Sequence, residues 1–195
     1  PICRIGNVEH NEQSFPLLLK WWAGQNSAAR HLWPGISAAA IGPGRKAEEI
    51  IEQIKLTRAQ PGAGGSLQWS IKALHQNRDG LADKLVRQVF QTPALIPASP
   101  WLDKAVPERP QVAFGQDAAQ TVSVFQWATP SGAAPGWWLV QMRVNGAWQA
   151  ELLPGSQLNR TLRAPANALP EVIAVTAVSR YGQAGQSFVA QRMGK

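Results

Sequence analysis

Two different spacings of apolar residues divide the chain into two regions. In residues 1–107, short apolar runs alternate with stretches whose apolar side chains recur every three or four positions, as in an amphipathic helix. After residue 110, apolar and polar residues mostly alternate one by one, as in a strand with one buried face. A stiff segment bounded by Pro107 and Pro110 separates the two patterns. The chain therefore predicts two folding units, residues 1–107 and residues 111–195.

The first region repeats the order strand then helix three times. The predicted strands are residues 1–5, 31–36 and 66–70. The first predicted helix begins at an N-cap, Ser14, with Pro16 in its first turn. The second covers residues 46–59 and has Ile50, Ile51 and Ile54 on one face. The third is capped by Asp79 and has Leu81, Leu85, Val86 and Val89 on one side. This order indicates parallel βα units. A (β/α)8 barrel needs roughly 200 residues, so the region is either part of such a barrel or a small open sheet.

The second region predicts an antiparallel β-sandwich. Its predicted strands are residues 121–127, 137–144, 147–153, 158–162, 172–179 and 186–191. Asn145-Gly146 is the pair that a type I′ hairpin turn prefers. With Trp127 on an early strand and a turn at 180–185 after the penultimate strand, the pattern resembles a fibronectin type III or Ig-like domain. Such a domain implies a spacer or docking wall, with Trp137, Trp138 and Trp148 as an alternative carbohydrate platform.

Charge and composition exclude several classes of function. The net charge of +7 comes from 19 basic and 12 acidic residues, but the excess is spread over both regions, and Arg45-Lys46 is the one adjacent basic pair. We therefore predict no nucleic-acid partner. Cys3 is the single cysteine, and the three histidines lack ligand spacing, so we predict no metal and no cofactor. No apolar run is long enough to span a bilayer, and the chain opens without a hydrophobic leader, as a piece of a longer polypeptide would.

Short motifs follow one another through residues 1–107. In chain order they are Phe15-Pro16-Leu17-Leu18-Leu19-Lys20-Trp21-Trp22, His31-Leu32-Trp33-Pro34-Gly35-Ile36, Glu49-Ile50 with Gln53-Ile54 and Arg58, Gly64-Gly65-Ser66 with Trp69-Ser70, Asn77 with Gly80-Leu81-Ala82-Asp83, Pro93-Ala94-Leu95, and Pro100-Trp101-Leu102-Asp103. Their order and spacing resemble the late part of bacterial glycosyl-hydrolase-10-like, lipoprotein-type proteins. The resemblance implies the last βα units of a (β/α)8 TIM-type barrel, starting near its sixth strand. The family commonly has Pro-Gln-hydrophobic-Tyr-Trp there, where this chain has Pro1-Ile2-Cys3-Arg4.

The same resemblance implies a function. The chain would be the C-terminal fragment of a glycoside hydrolase that acts on a polysaccharide or cell-wall glycan, with an oligo- or polysaccharide as partner. The parent would be periplasmic, exposed at the cell surface or secreted. The family's strand-end carboxylates lie mainly on earlier strands, so the fragment alone is expected to be inactive. The alternatives are a non-catalytic carbohydrate-binding module and a structural adaptor.

Two acidic residues are candidates for catalysis. Glycoside hydrolysis uses two carboxyl groups, and barrel enzymes carry such groups at the C-terminal ends of their strands. Glu9 and Glu12 follow the predicted strand at residues 1–5. They are therefore the catalytic candidates, and solvated loop charges are the alternative interpretation.

Four further residues are candidates for substrate binding. Arg4 could hydrogen-bond a sugar hydroxyl or carboxylate, or instead pair with Glu9 or Glu12. His10 lies in the loop with Glu9 and is more simply a surface residue. Trp69 stands at the end of the last predicted strand, whose final residue is Ser70, and its ring could stack on a sugar face or pack in the core under the barrel rim. An incomplete barrel would also expose an apolar patch and an unpaired strand, which predicts self-association through this edge.

Overall fold

The computed structural model describes residues 14–42, 44–116, 122–163 and 169–191. The chain divides into two compact units, Pro1–Gln91 and Thr92–Lys195. The strand predicted at residues 1–5 lies outside the described residues. This division into compact units does not test the predicted domain bounds at residues 107 and 111, and those bounds stay a prediction.

The first unit pairs two short parallel strands with helices between and after them. Its elements are α1 (Phe15–Gln25), β1 (Gly35–Ser37), α2 (Ala47–Ala59), β2 (Leu67–Trp69), α3 (Ile71–His75) and α4 (Leu81–Gln88). In the parallel pair, Gly35 lies opposite Leu67 and Ser37 opposite Trp69. The predicted βα order is confirmed for these strands, which are shorter than the sequence pattern indicated.

The core of the first unit lies between the helices and one face of the strand pair. Ile36 of β1 is buried in one cluster with Phe15 and with the three isoleucines of α2 whose helical spacing predicted this face. Of the four core residues predicted on α4 and at its C-cap, three are buried, but Val86 is 63% exposed. Residues 81, 85 and 89 are four apart and share one helix face, whereas residue 86 is turned about 100° away from residue 85.

Asp79 caps a different helix from the one predicted. Its Oδ2 accepts the backbone N–H of Ala47 at 2.8 Å, at the start of α2. Asp79 itself has φ 51°, and Gly80 is the N-cap residue of α4. The prediction was wrong because a cap can come from a residue that is close in space and distant in sequence. At α1 the N-cap position of Ser14 is confirmed, although its side chain makes no capping hydrogen bond.

The second unit contains two antiparallel sheets. Its strands are β3 (Gln111–Gln116), β4 (Val122–Ala128), β5 (Trp137–Val144), β6 (Ala147–Pro154), β7 (Asn159–Arg163), β8 (Val172–Val178) and β9 (Phe188–Gln191). The sheet orders are β3-β4-β7 and β6-β5-β8-β9. Three strands facing four in this antiparallel arrangement form a fibronectin type III-like β-sandwich, which confirms the predicted class of the second unit. The strand pattern had not indicated β3.

Tryptophans fill the space between the two sheets. Trp127 of β4 and Trp138 of β5 are buried, with ring centroids 6.3 Å apart. Each indole N–H is satisfied: Trp127 donates to the Gln157 carbonyl at 2.9 Å and Trp138 to the Gly155 carbonyl at 3.0 Å. Both rings therefore contribute apolar area without leaving a buried donor unpaired.

The turns of the sandwich follow local rules where the sequence is distinctive. Asn145 and Gly146 both have positive φ, 49° and 77°, as the predicted type I′ turn between β5 and β6 requires. Gly185 is required for a steric reason, because a Cβ there would lie 2.3 Å from the Pro107 carbonyl oxygen. The backbone at Pro107 thus lies directly against the β8–β9 connection within the second unit.

Candidate functional site

The structure describes two of the six site residues that the sequence predicts. Arg4, Glu9, His10 and Glu12 lie outside the described residues, so their roles stay predictions. Trp69 and Ser70 are described, and they stand at the C-terminal end of β2. The peptide bond between them is cis. Ser70 is the N-cap residue of α3, and its carbonyl accepts the Ala73 N–H at 3.2 Å.

Trp69 lies on an open face of the strand pair. Because side chains alternate along a strand, Leu67 and Trp69 share one face, while Gln68 and its partner Ile36 share the other. The face with Ile36 is covered by the core, but Leu67 is 52% exposed and Trp69 67% exposed. Trp69 is therefore not packed in the core formed by the described residues, and packing inside a longer barrel stays the alternative interpretation. An exposed indole at a strand end can stack on the apolar face of a sugar ring.

A pocket lies between the β1–α2 connection and the α3–α4 connection. Its volume is about 530 Å³, and its lining residues are Ile41, Gly42, Arg45, Lys46, Arg78 and Asp79. The first four belong to the β1–α2 connection and the last two to the α3–α4 connection. Residues 42–46 resemble an anion-binding start of a helix, but without a phosphate-loop signature the sequence favoured a simple turn there.

Asp79, the acidic residue of this pocket, is engaged in a structural network. Its Oδ1 lies 3.6 Å from Lys84 Nζ, which also contacts Glu48 Oε1 at 2.7 Å. The N–H of Ala47 lowers the pKa of Asp79, and the hydrogen bond from Lys84 lowers the pKa of Glu48. The Glu48 carboxylate in turn raises the pKa of Lys84. Both carboxyl groups are thus held ionised, whereas a glycosidase acid must be protonated, so this pair is unsuited to acid–base catalysis.

In the β-sandwich one tryptophan of the three candidates is largely exposed. Trp138 is buried in the core and Trp137 is half-buried, but Trp148 is 56% exposed. Trp148 lies opposite Arg143 in the β5–β6 pair. The Arg143 guanidinium Nε lies 3.4 Å from Glu171 Oε2, so polar groups flank the indole.

Neither a metal centre nor a membrane span is found in the described ranges. Within residues 14–42, 44–116, 122–163 and 169–191, no three His, Cys, Asp or Glu side chains gather as a metal would need. No helix in this part of the chain is long and apolar enough to cross a membrane.

One curated protein is similar to this chain in sequence. The chain is 31% identical over 112 residues to a glycosyl hydrolase of Bacillus subtilis (strain 168), named YngK. The match covers 54% of this chain and 22% of that protein, so the chain spans about a fifth of the relative's length. No protein-family model matches the chain.

Solved structures similar to this chain contain fibronectin type III domains. A domain of human collagen XX is 15% identical, with 51% of this chain and all of that one covered, at a TM-score of 0.34. A two-domain segment of chicken tenascin is 14% identical, with 45% and 51% covered, at a TM-score of 0.35. At such scores, the assignment of the sandwich depends on the order and direction of its strands.

Proposed function

We propose that this chain is part of a glycoside hydrolase-related protein that acts on a polysaccharide or cell-wall glycan. In this proposal β1 and β2 are the last two strands of a (β/α)8 barrel, and Trp69 lines the saccharide cleft. The observation that carries it is the open face of the parallel pair, with an indole exposed at its C-terminal end. The similarity to a glycosyl hydrolase supports a carbohydrate as the class of substrate.

The exposure of Leu67 and Trp69 has a physical explanation in a closed barrel. In such a barrel one face of every strand points to the interior and the other to the surrounding helices. The described helices bury Ile36 on one face, and further strands of a longer polypeptide would cover the other. In the isolated chain this open edge favours self-association, which we propose as its behaviour in solution.

If β1 and β2 are the last strands of a barrel, the remaining predicted residues have proposed roles as well. Glu9 and Glu12 are the candidate carboxyl groups at the end of a preceding strand, and Arg4, His10 and Ser70 are candidate contacts to the saccharide. The main catalytic pair is proposed to lie elsewhere in the longer polypeptide, so that residues 1–195 alone do not hydrolyse glycans. We further propose export of the longer protein to the periplasm, the cell surface or the medium.

Hydrolysis by the longer polypeptide tests this proposal. We expect release of reducing ends from a polysaccharide or cell-wall glycan, and Trp69→Ala should lower kcat/KM by about tenfold, as the loss of one stacking contact would. Trp21→Ala is the matched control, because Trp21 is an exposed tryptophan on α1. Equal losses in both variants, or no turnover of any glycan by the longer protein, would contradict the proposal.

The sandwich offers a second candidate function, favoured by the exposed Trp148. An indole flanked by Arg143 and Glu171 presents an apolar surface beside hydrogen-bonding groups, which suits a sugar ring. This would make the chain a non-catalytic carbohydrate-binding module. Saccharide binding by the 195-residue chain that is lost in Trp148→Ala and kept in Trp69→Ala would favour this alternative, and the reverse result would exclude it.

A further inference from the structure

We infer that the pocket lined by Arg45, Lys46 and Arg78 is a subsite for an anionic substituent, a carboxylate or a sulfate ester, on a glycan. The inference rests on the proposed function and names the chemical class of its substrate. It concerns a site separate from the Trp69 stacking surface and uses residues that sequence reasoning had not assigned.

The position of the pocket connects it with substrate binding. Its walls come from the β1–α2 connection and from the α3–α4 connection, so one segment follows β1 and the other follows β2 with the short helix α3 between them. In βα barrels these connections carry the substrate-binding groups. A volume of about 530 Å³ is large enough for a sugar residue with a charged substituent.

The charges that line the pocket favour an anion. Three lining side chains are basic and one is acidic. The acidic one, Asp79, accepts the Ala47 N–H and lies 3.6 Å from Lys84, and its carboxylate also interacts with the charge of Lys46. Basic side chains therefore outnumber the acidic one in the lining, and Lys46 and Arg78 offer N–H groups that an incoming carboxylate or sulfate would contact.

The start of α2 is not the source of this attraction. The first N–H of the helix, that of Ala47, is taken by Asp79. The anion would therefore be held by the side chains of the loops. This makes the site sensitive to substitution of single basic residues.

Arg78 is held in position for such a contact. Its Nε donates to Gln76 Oε1 at 2.8 Å, and its Nη1 donates to the Ala39 carbonyl at 3.3 Å. These two bonds use two of the five N–H groups of a guanidinium, and they fix its plane between the two loops. The remaining N–H groups can form the paired hydrogen bonds that guanidinium makes with carboxylate or sulfate oxygens.

Matched oligosaccharides test the inference with the 195-residue chain. Ligand-observed NMR would compare an oligogalacturonate with a neutral oligogalactose of equal length, and a sulfated dextran oligosaccharide with unmodified dextran, at low and high salt. We expect each acidic probe to bind at least roughly tenfold more tightly than its neutral partner, with the preference weakened by salt. The stronger of the two acidic probes identifies carboxylate or sulfate as the natural substituent.

Variants separate this site from diffuse basic charge. Arg78→Gln and, independently, Lys46→Gln should each weaken the acidic probe by roughly tenfold, while Arg78→Lys keeps part of the affinity. Lys20→Gln removes an exposed charge from α1 and should change nothing. Equal binding of acidic and neutral probes, or a loss in Lys20→Gln as large as in Arg78→Gln, would overturn the inference. Neither result alters hydrolysis of neutral glycans or its dependence on Trp69, so the proposed function fails or stands separately.

Discussion

The two units of this chain bury their sheets in opposite ways. In the β-sandwich, the inner faces of both sheets close on each other around Trp127 and Trp138. In the first unit, the parallel pair of β1 and β2 is covered by helices on the face of Ile36, while Leu67 and Trp69 stay exposed on the other. A sheet with one apolar face uncovered has not reached the layered packing that stable domains use. The β-sandwich therefore closes its own core, whereas the strand pair of the first unit keeps one face that further strands would cover.

The strongest test of the closed core is Trp138→Ala. Trp138 is fully buried and donates to the Gly155 carbonyl at 3.0 Å. Its truncation should lower the free energy of unfolding of the sandwich by about 3–5 kcal/mol, since it leaves a cavity. Urea denaturation followed by circular dichroism measures this loss. Trp148→Ala, at an exposed site, should shift stability by no more than about 0.5 kcal/mol, and similar losses in the two variants would show that the sandwich core is described incorrectly.

Ile50→Ala measures the closed side of the first unit. Ile50 is fully buried in the helix-covered cluster, so its loss should cost about 2–5 kcal/mol in the unfolding of this unit. Val86→Ala on α4 removes an exposed side chain and serves as the control, with an expected change within about 0.5 kcal/mol. Hydrogen exchange of the α2 amides reports the difference. Equal protection in both variants would argue against the described helix packing.

Asp79→Ala should produce a smaller and pH-dependent loss. The folded protein lowers the pKa of Asp79, so its ionised form stabilises the fold above the ordinary aspartate pKa of about 3.9. This stabilisation is lost as pH falls through the still lower folded pKa, and the thermal midpoints of parent and variant should converge there. Asp79→Asn keeps an acceptor for Ala47 and should lose less at neutral pH. A gap between parent and Asp79→Ala that persists in acid would contradict the cap.

The smallest effect on stability is expected on the open face. Replacement of Leu67 and Trp69 by serine removes exposed apolar area, so the free energy of unfolding should change least of the four cases. Self-association, measured by sedimentation equilibrium, should fall instead. Leu17→Ser with Trp21→Ser on α1 provides a control of similar exposure. A strictly monomeric parent chain would contradict the association we propose.

Sequence reasoning located the elements whose signals are local. The helical spacing of the α2 isoleucines placed that helix within one residue of its observed start, and β5 occupies Trp137–Val144 as predicted. The Asn145-Gly146 turn is encoded by two adjacent residues and was also correct. By contrast, β3 was missed, because Gln111–Gln116 becomes a strand through its pairing with β4, and pairing across a sheet leaves little trace in the strand itself.

The residues of the candidate sites also divide into those with a local signal in the sequence and those that only the fold brings together. Trp69 could be found because it ends a predicted strand, and its exposure follows from strand alternation once the covered face is known. The basic pocket could not be found, because Arg45 and Arg78 come from different connections and only the fold brings them together. The role of Asp79 was misjudged for the same reason, since its partner lies 32 positions away.

The bond from Asp79 to Ala47 also has a consequence for the order of folding. The start of α2 receives its cap from the connection between α3 and α4, so this helix can form early but reaches full protection only when the next βα unit has docked. A contact of this sequence separation closes a long loop before it contributes stability. Successive units of the α/β region are thereby tied into one cooperative step, and a truncation after β2 would leave α2 frayed at its first turn.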